Sequence, residues 1–186
     1  MEQADRKRAH LERILLVCGN QNAGKSRLLR HMLTDPRLGG QLPPGPRIAP
    51  RRLSRESCLA VRITSPHEMD ESLDEFIQKI DRATEVAWGD FWRINYASAI
   101  QPRPFKQMPG IVDVCARLKR EFSPERIRVV QLAPDQSEQL TSQLTNTEID
   151  GLRRNNVEVI SMDARRSSYP AEPGNVRILA DFFYFP

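Results

Sequence analysis

A three-layer α/β domain on a mostly parallel, five-stranded sheet is the fold this sequence predicts. Two observations carry that expectation. Apolar runs of strand length alternate along the chain with amphipathic stretches of helical period, the pattern of strands joined by covering helices. The 186 residues also suit one domain with a sizeable core and leave little for a second. The whole chain, 1–186, is therefore read as a single domain.

The elements follow in order. The apolar run Ile14 to Cys18 is a strand, and Leu28, Leu29, Met32 and Leu33 mark one face of a helix just after it. Residues 36–57, "PRLGGQLPPGPRIAPRRLSRES", hold five prolines, three glycines and five arginines and fit neither period. They form a flexible Pro/Arg-rich loop, either a segment that senses or covers a ligand or a proline-stiffened surface insertion. "CLAVRIT" (58–64) alternates Leu59, Val61 and Ile63 on one face, a strand with one wet side near an edge. "SPHE" then reads as a helix start, with Ser65 at N-cap, Pro66 at N1 and Glu68 at N3, ahead of the apolar stripe Leu73, Phe76, Ile77 and Ile80.

Trp88, Phe91, Trp92 and Tyr96 recur at helical spacing within 85–100 and predict a second helix whose aromatics pack inward or cover a cleft. "QPRPFKQMPG" breaks the chain, and "IVDVCARLKREF" gives another amphipathic helix. "RIRVVQLAP" (126–134) is the best buried central strand. Ser137 opens a helix carrying Leu140, Leu144 and Leu152, and "VEVISMD" (157–163) is the fourth strand. "VRILADFFYF" (176–185), rich in aromatics, is expected as the fifth.

The chemistry centres on the first junction. Gly19, four residues, then Gly24-Lys25-Ser26 is the spacing G-x-x-x-x-G-K-[ST] between a strand and a helix. In such a loop the backbone N–H groups of residues 19–27 (Gly19, Asn20, Gln21, Asn22, Ala23, Gly24, Lys25, Ser26 and Arg27) converge on phosphate oxygens at a helix N-terminus. The loop resembles that of the P-loop NTPase superfamily, a resemblance of some twenty residues that reaches no narrower family. It implies a nucleoside triphosphate, ATP, bound with Mg²⁺: Lys25 on the β- and γ-phosphates, the Ser26 hydroxyl on the metal. Hydrolysis or transfer of the γ-phosphoryl group is the activity implied.

Such chemistry also calls for an acid near a strand's carboxyl end. Asp163 closes "VISMD" directly, whereas Asp135, after "VVQLAPD", agrees better with chain order and is preferred as the metal partner beside Ser26. Either aspartate could instead cap a turn. No glutamate follows either one, and "NTEID" lacks the lysine of a guanine-reading element, which counts against a motor and a typical GTPase. A small-molecule or nucleotide kinase needs neither feature; arginines such as Arg51, Arg52, Arg55, Arg165 or Arg166 would neutralise the transferred group. A nucleotide-binding subunit of a larger assembly, with little turnover of its own, is the third reading. His67 and Glu68 lie on the rim where open sheets bind ligands, though the capping role already accounts for Glu68.

The net charge of +4 rests on basic residues that are mostly arginine, and nucleic acid is not favoured as a partner on that ground alone. A protein partner is left open. Cys18, Cys58 and Cys115 are odd in number, widely spaced and set in apolar runs, so buried free thiols are expected, with no metal spacing to His10, His31 or His67. The charged N-terminus has no signal-peptide character and no run spans a membrane, so a cytoplasmic protein is expected.

Overall fold

β1 (His10–Cys18) lies in the middle of the sheet, and eight of its nine residues are buried, because helices cover it on both faces. The computed structural model describes residues 7–43, 48–137, 143–165 and 173–184. In chain order β1 is followed by α1 (Lys25–Met32), β2 (Arg51–Arg52), β3 (Ser57–Arg62), α2 (Leu73–Trp88), β4 (Arg93–Ile100), α3 (Ile111–Phe122), β5 (Arg126–Leu132), α4 (Asn146–Arg154), β6 (Val157–Met162) and α5 (Pro173–Tyr184). The sheet runs β2-β3-β4-β1-β5-β6, with six strands rather than five. All pairings are parallel except that of β2 with β3.

Alternation along β1 divides the core. Ile14, Leu16 and Cys18 pack with Phe76 and Ile80 of α2, Ile111, Val114, Cys115 and Leu118 of α3, and Leu152 of α4. Leu15 and Val17 point the other way, onto Leu28, Leu29 and Met32 of α1 and Leu179, Phe182 and Phe183 of α5. Helices thus cover both faces, the only way a parallel sheet buries two apolar surfaces at once. No helix among the described residues is long and apolar enough to cross a membrane.

Several elements differ from expectation. The helix expected over 85–100 is the end of α2 followed by β4, the strand hydrogen-bonded directly to β1. β4 is buried on both faces, so it shows no alternation, and its small residues Ala97, Ser98 and Ala99 are fully buried. Of the strand expected over 176–185, residues 176–184 belong to helix α5. Its aromatics suggest a strand, but Leu179, Phe182 and Phe183 are the spacing of a helical face, all three buried in the core that α1 also covers.

"SPHE" forms a 3₁₀ turn, Pro66–Met69, without a side-chain cap; α2 begins at Leu73 under a capping box made by Ser72 and Glu75. The helix expected from Ser137 falls partly on 138–142, outside the described residues, and α4 starts at Asn146, capped by Thr145 and Glu148. Within 36–57 the chain makes a 3₁₀ turn, Pro36–Leu38, and the edge strand β2. Arg37 is tied there to Asp35 at 2.8 Å and to Asp181 of α5 at 2.6 Å. The Tyr184 hydroxyl donates to the Arg37 carbonyl at 2.7 Å.

Candidate functional site

The carboxyl ends of the strands stand level. Cys18 is in register with Ile100 of β4 on one side and Gln131 of β5 on the other, so the loops that leave these strands meet over one edge. α1 lies on one face of the sheet while α2, α3 and α4 lie on the other. The loop after β1 therefore parts from its neighbours and opens a crevice, the place where open α/β sheets bind ligands.

The β1–α1 loop is shaped by two glycines. A Cβ on Gly19 would stand 2.8 Å from the Ala23 Cβ, closer than real side chains approach. Gly24 is the N-cap of α1 with φ 101°, a left-handed conformation that L side chains avoid. Folded this way, the loop satisfies few of its own donors. The Ala23 N–H reaches the Asn20 carbonyl at 3.2 Å and the Asn20 N–H reaches Gln143 Oε1 at 3.0 Å. The N–H groups of Gln21, Asn22, Gly24, Lys25 and Ser26 have no acceptor among the described residues. They crowd one helix N-terminus, whose partial positive charge adds to theirs.

These residues line a cavity of about 360 Å³ together with Arg27, Glu68 and Gln136. Among the described residues no apolar side chain lines it. Lys25 is 3% exposed; its Nζ donates to the Asn20 carbonyl at 2.7 Å and stands 3.6 Å from Glu68 Oε1. Burial lowers the ammonium below its ordinary pKa, and the Glu68 carboxylate draws it back. The Ser26 hydroxyl donates to the Ile63 carbonyl at 2.7 Å, just past β3, which leaves its lone pairs for an electrophile. Arg27 lines the cavity from α1 while donating to the carbonyls of Ala164 and Arg165.

Neither Asp135 nor Asp163 is among the residues that line this cavity. Asp135 is buried beyond β5, where its Oδ1 accepts from the Ser137 N–H at 2.8 Å, a turn closed by its own side chain. Its neighbour Gln136 is the residue that reaches the cavity, with its N–H on the Ala23 carbonyl at 3.2 Å and its side-chain amide on the Asn22 carbonyl. No motif marks Gln136. Asp163, past β6, holds Arg165 through the backbone N–H at 3.0 Å and the guanidinium at 2.6 Å. That hydrogen bonding keeps its carboxyl below the usual range.

Of the arginines, Arg51 and Arg52 form β2 at the far edge of the sheet, and Arg52 stacks 4.8 Å from the Phe91 ring. Neither they nor Arg55 and Arg165 line the cavity. Arg166 lies outside the described residues. His67 is 2% exposed, burial lowers its pKa, and it is not among the residues that line the cavity. The acid on the wall is Glu68. As the expected capping box is absent, its carboxylate is free to face Lys25. The signal for it in sequence is its place, a few residues beyond the end of a strand. Comparison with protein-family models, curated proteins and solved structures returned no match to this chain.

Proposed function

We propose that the chain binds a nucleoside triphosphate, ATP with Mg²⁺, at residues 19–27 and acts on its γ-phosphoryl group by hydrolysis or transfer. The observation that carries this reading is the group of amides at the start of α1 that have no acceptor among the described residues, beside buried Lys25 and a cavity lined by polar residues and glycine. Fixed donors around a concave space suit a polyanion whose oxygens accept without rearrangement of the protein. Lys25 would exchange the Asn20 carbonyl for a phosphate oxygen, and Arg27 would add a second positive charge.

The residues present fit a hard divalent cation. Among the described residues no three acidic, histidine or cysteine side chains gather to cage a metal. The cavity does offer two oxygen ligands, Ser26 Oγ and the Glu68 carboxylate. One or two protein oxygens completed by phosphate oxygens and water is the usual complement for Mg²⁺. Bound there, Mg²⁺ supplies charge neutralisation on the phosphate oxygens.

A second reading, a nucleotide-binding subunit with little turnover of its own, draws on the engagement of Asp135 and Asp163 by Ser137 and Arg165 and on their absence from the cavity lining. Titration calorimetry of Mg-ATP into wild type and Lys25→Ala tests the binding. The variant loses about 2–4 kcal/mol of affinity, since a desolvated lysine–phosphate contact is removed. Absence of binding to wild type at high micromolar nucleotide overturns the reading. Phosphate release, alone and then with candidate acceptors or copurifying proteins, separates turnover from binding.

A further inference from the structure

The strongest unexplained feature of the cavity is its single carboxylate among the described residues. A phosphate-binding site gains nothing from a negative charge on its wall. Glu68 stands 3.6 Å from Lys25 Nζ, so it neutralises the very cation that would meet the phosphate, and it would repel an incoming phosphate oxygen. The backbone that carries it is firmly placed. The 3₁₀ turn that carries it is closed by the Glu68 N–H on the Ser65 carbonyl at 3.0 Å and the Glu71 N–H on the Pro66 carbonyl at 3.1 Å. Glu71 is itself fixed by Arg62 at 2.7 Å, and Asp70 by Lys106 at 2.8 Å.

The same strand exit also places the second oxygen ligand. The Ile63 carbonyl takes the Ser26 proton, and five residues later the chain presents Glu68 to the same cavity. A carboxylate on the same cavity wall as a serine oxygen whose proton is already committed is a costly arrangement toward a bare polyanion. It is a favourable one toward a polyanion that brings a divalent cation.

Resting on the nucleotide reading above, we propose that Glu68, and neither Asp135 nor Asp163, is the carboxylate that makes binding depend on the divalent cation. With the cavity empty, Glu68 holds the charge of Lys25. A bound metal–triphosphate would take the Glu68 carboxylate as a partner for its cation and leave Lys25 to the phosphate. A metal-free triphosphate meets Glu68 as a like charge and binds weakly. The site therefore selects metal-loaded nucleotide over the free anion.

The test measures ATP affinity by calorimetry in EDTA and in excess Mg²⁺ for wild type, Glu68→Gln and Asp135→Asn, with thermal melts to confirm folding. Glu68→Ala is the second variant. A Mn²⁺ titration followed by electron paramagnetic resonance gives a readout of the metal apart from turnover. Wild type gains strongly from Mg²⁺. Glu68→Gln binds metal-free ATP about tenfold more tightly than wild type, because a like charge next to the phosphate is gone, and loses most of the Mg²⁺ gain. It also holds Mn²⁺ more weakly in the presence of ATP. Asp135→Asn keeps the wild-type pattern. If Glu68→Gln and Glu68→Ala retain the full Mg²⁺ gain, or Asp135→Asn abolishes it, the proposal is overturned while the nucleotide site stands. If wild type binds ATP neither with nor without Mg²⁺, both fall together.

Discussion

Asp135 and Glu68 show how a residue's role is decided by what its side chain already holds. The Asp135 carboxylate closes a turn on the Ser137 N–H, and an asparagine keeps an oxygen in the same place for that bond. Asp135→Asn is expected to leave Mg²⁺-dependent turnover within about twofold of wild type, whereas Asp135→Ala destabilises by about 1 kcal/mol through the lost acceptor. Steady-state rates with a parallel melt check both. A large loss of turnover in a fully folded Asp135→Asn would return the metal role to that residue. The glycine–lysine loop was legible in sequence because its demands are local: two glycines where a Cβ or a negative φ does not fit, and a lysine at the helix start. The place of Glu68 on the rim was legible as well, but not its pairing with Lys25, because nothing near it in sequence states that β3 ends beside β1's loop. A serine and a proline ahead of it offered a plausible helix cap instead.

At the level of elements, legibility followed exposure. α2 and α3 each present one wet and one dry face, so their periods stand out. β4 has no wet face, and with that its period vanishes from the sequence; its position next to β1 is a product of packing alone. α5 was hidden by composition, its phenylalanines having strand propensity but meeting α1 at helical intervals. The joint between β3 and α2 depends on Glu71, whose side chain is 7% exposed between Arg62 and Lys79. Burial alone would raise its carboxyl, but hydrogen bonds from Arg62 and Lys79 outweigh that and hold it below the usual range. A carboxyl depressed in the folded state gives stability that is complete above its unfolded pKa and is lost as pH falls through the folded value. Chemical denaturation from about pH 5 down to about pH 3 should therefore show a steep loss in wild type and a shallower one in Glu71→Gln. At neutral pH, Glu71→Ala costs about 3 kcal/mol, since Arg62 is left half-buried without its partner. Equal acid slopes in wild type and Glu71→Gln would remove Glu71 from the account of acid sensitivity.

The molecule as a whole hangs both cores on one sheet, and the cavity sits where β1, β3 and β5 release their loops. A ligand held there touches segments that unfolding would scatter, so it binds the folded state alone and stabilises all of it by mass action. At a concentration about a hundred times its Kd the gain is about 2.7 kcal/mol, roughly 5–10 °C in Tm for a domain of this size. The cysteines offer an independent view of the same opening. Cys18, Cys58 and Cys115 are free and buried, all on the face covered by α2, α3 and α4, opposite the helix that follows the glycine–lysine loop. Burial pushes the Cys18 thiol up to about 12 and that of Cys58 to about 11, and raises Cys115 as well, so none reacts as a thiolate until the core opens. Labelling with a thiol reagent in dilute denaturant then reports the opening of the face remote from α1. Mg-ATP should slow that labelling in step with its effect on Tm, and do neither in Lys25→Ala. A raised Tm with unchanged thiol reactivity would mean that the two faces open separately, and that the sheet does not carry ligand stabilisation from one core to the other.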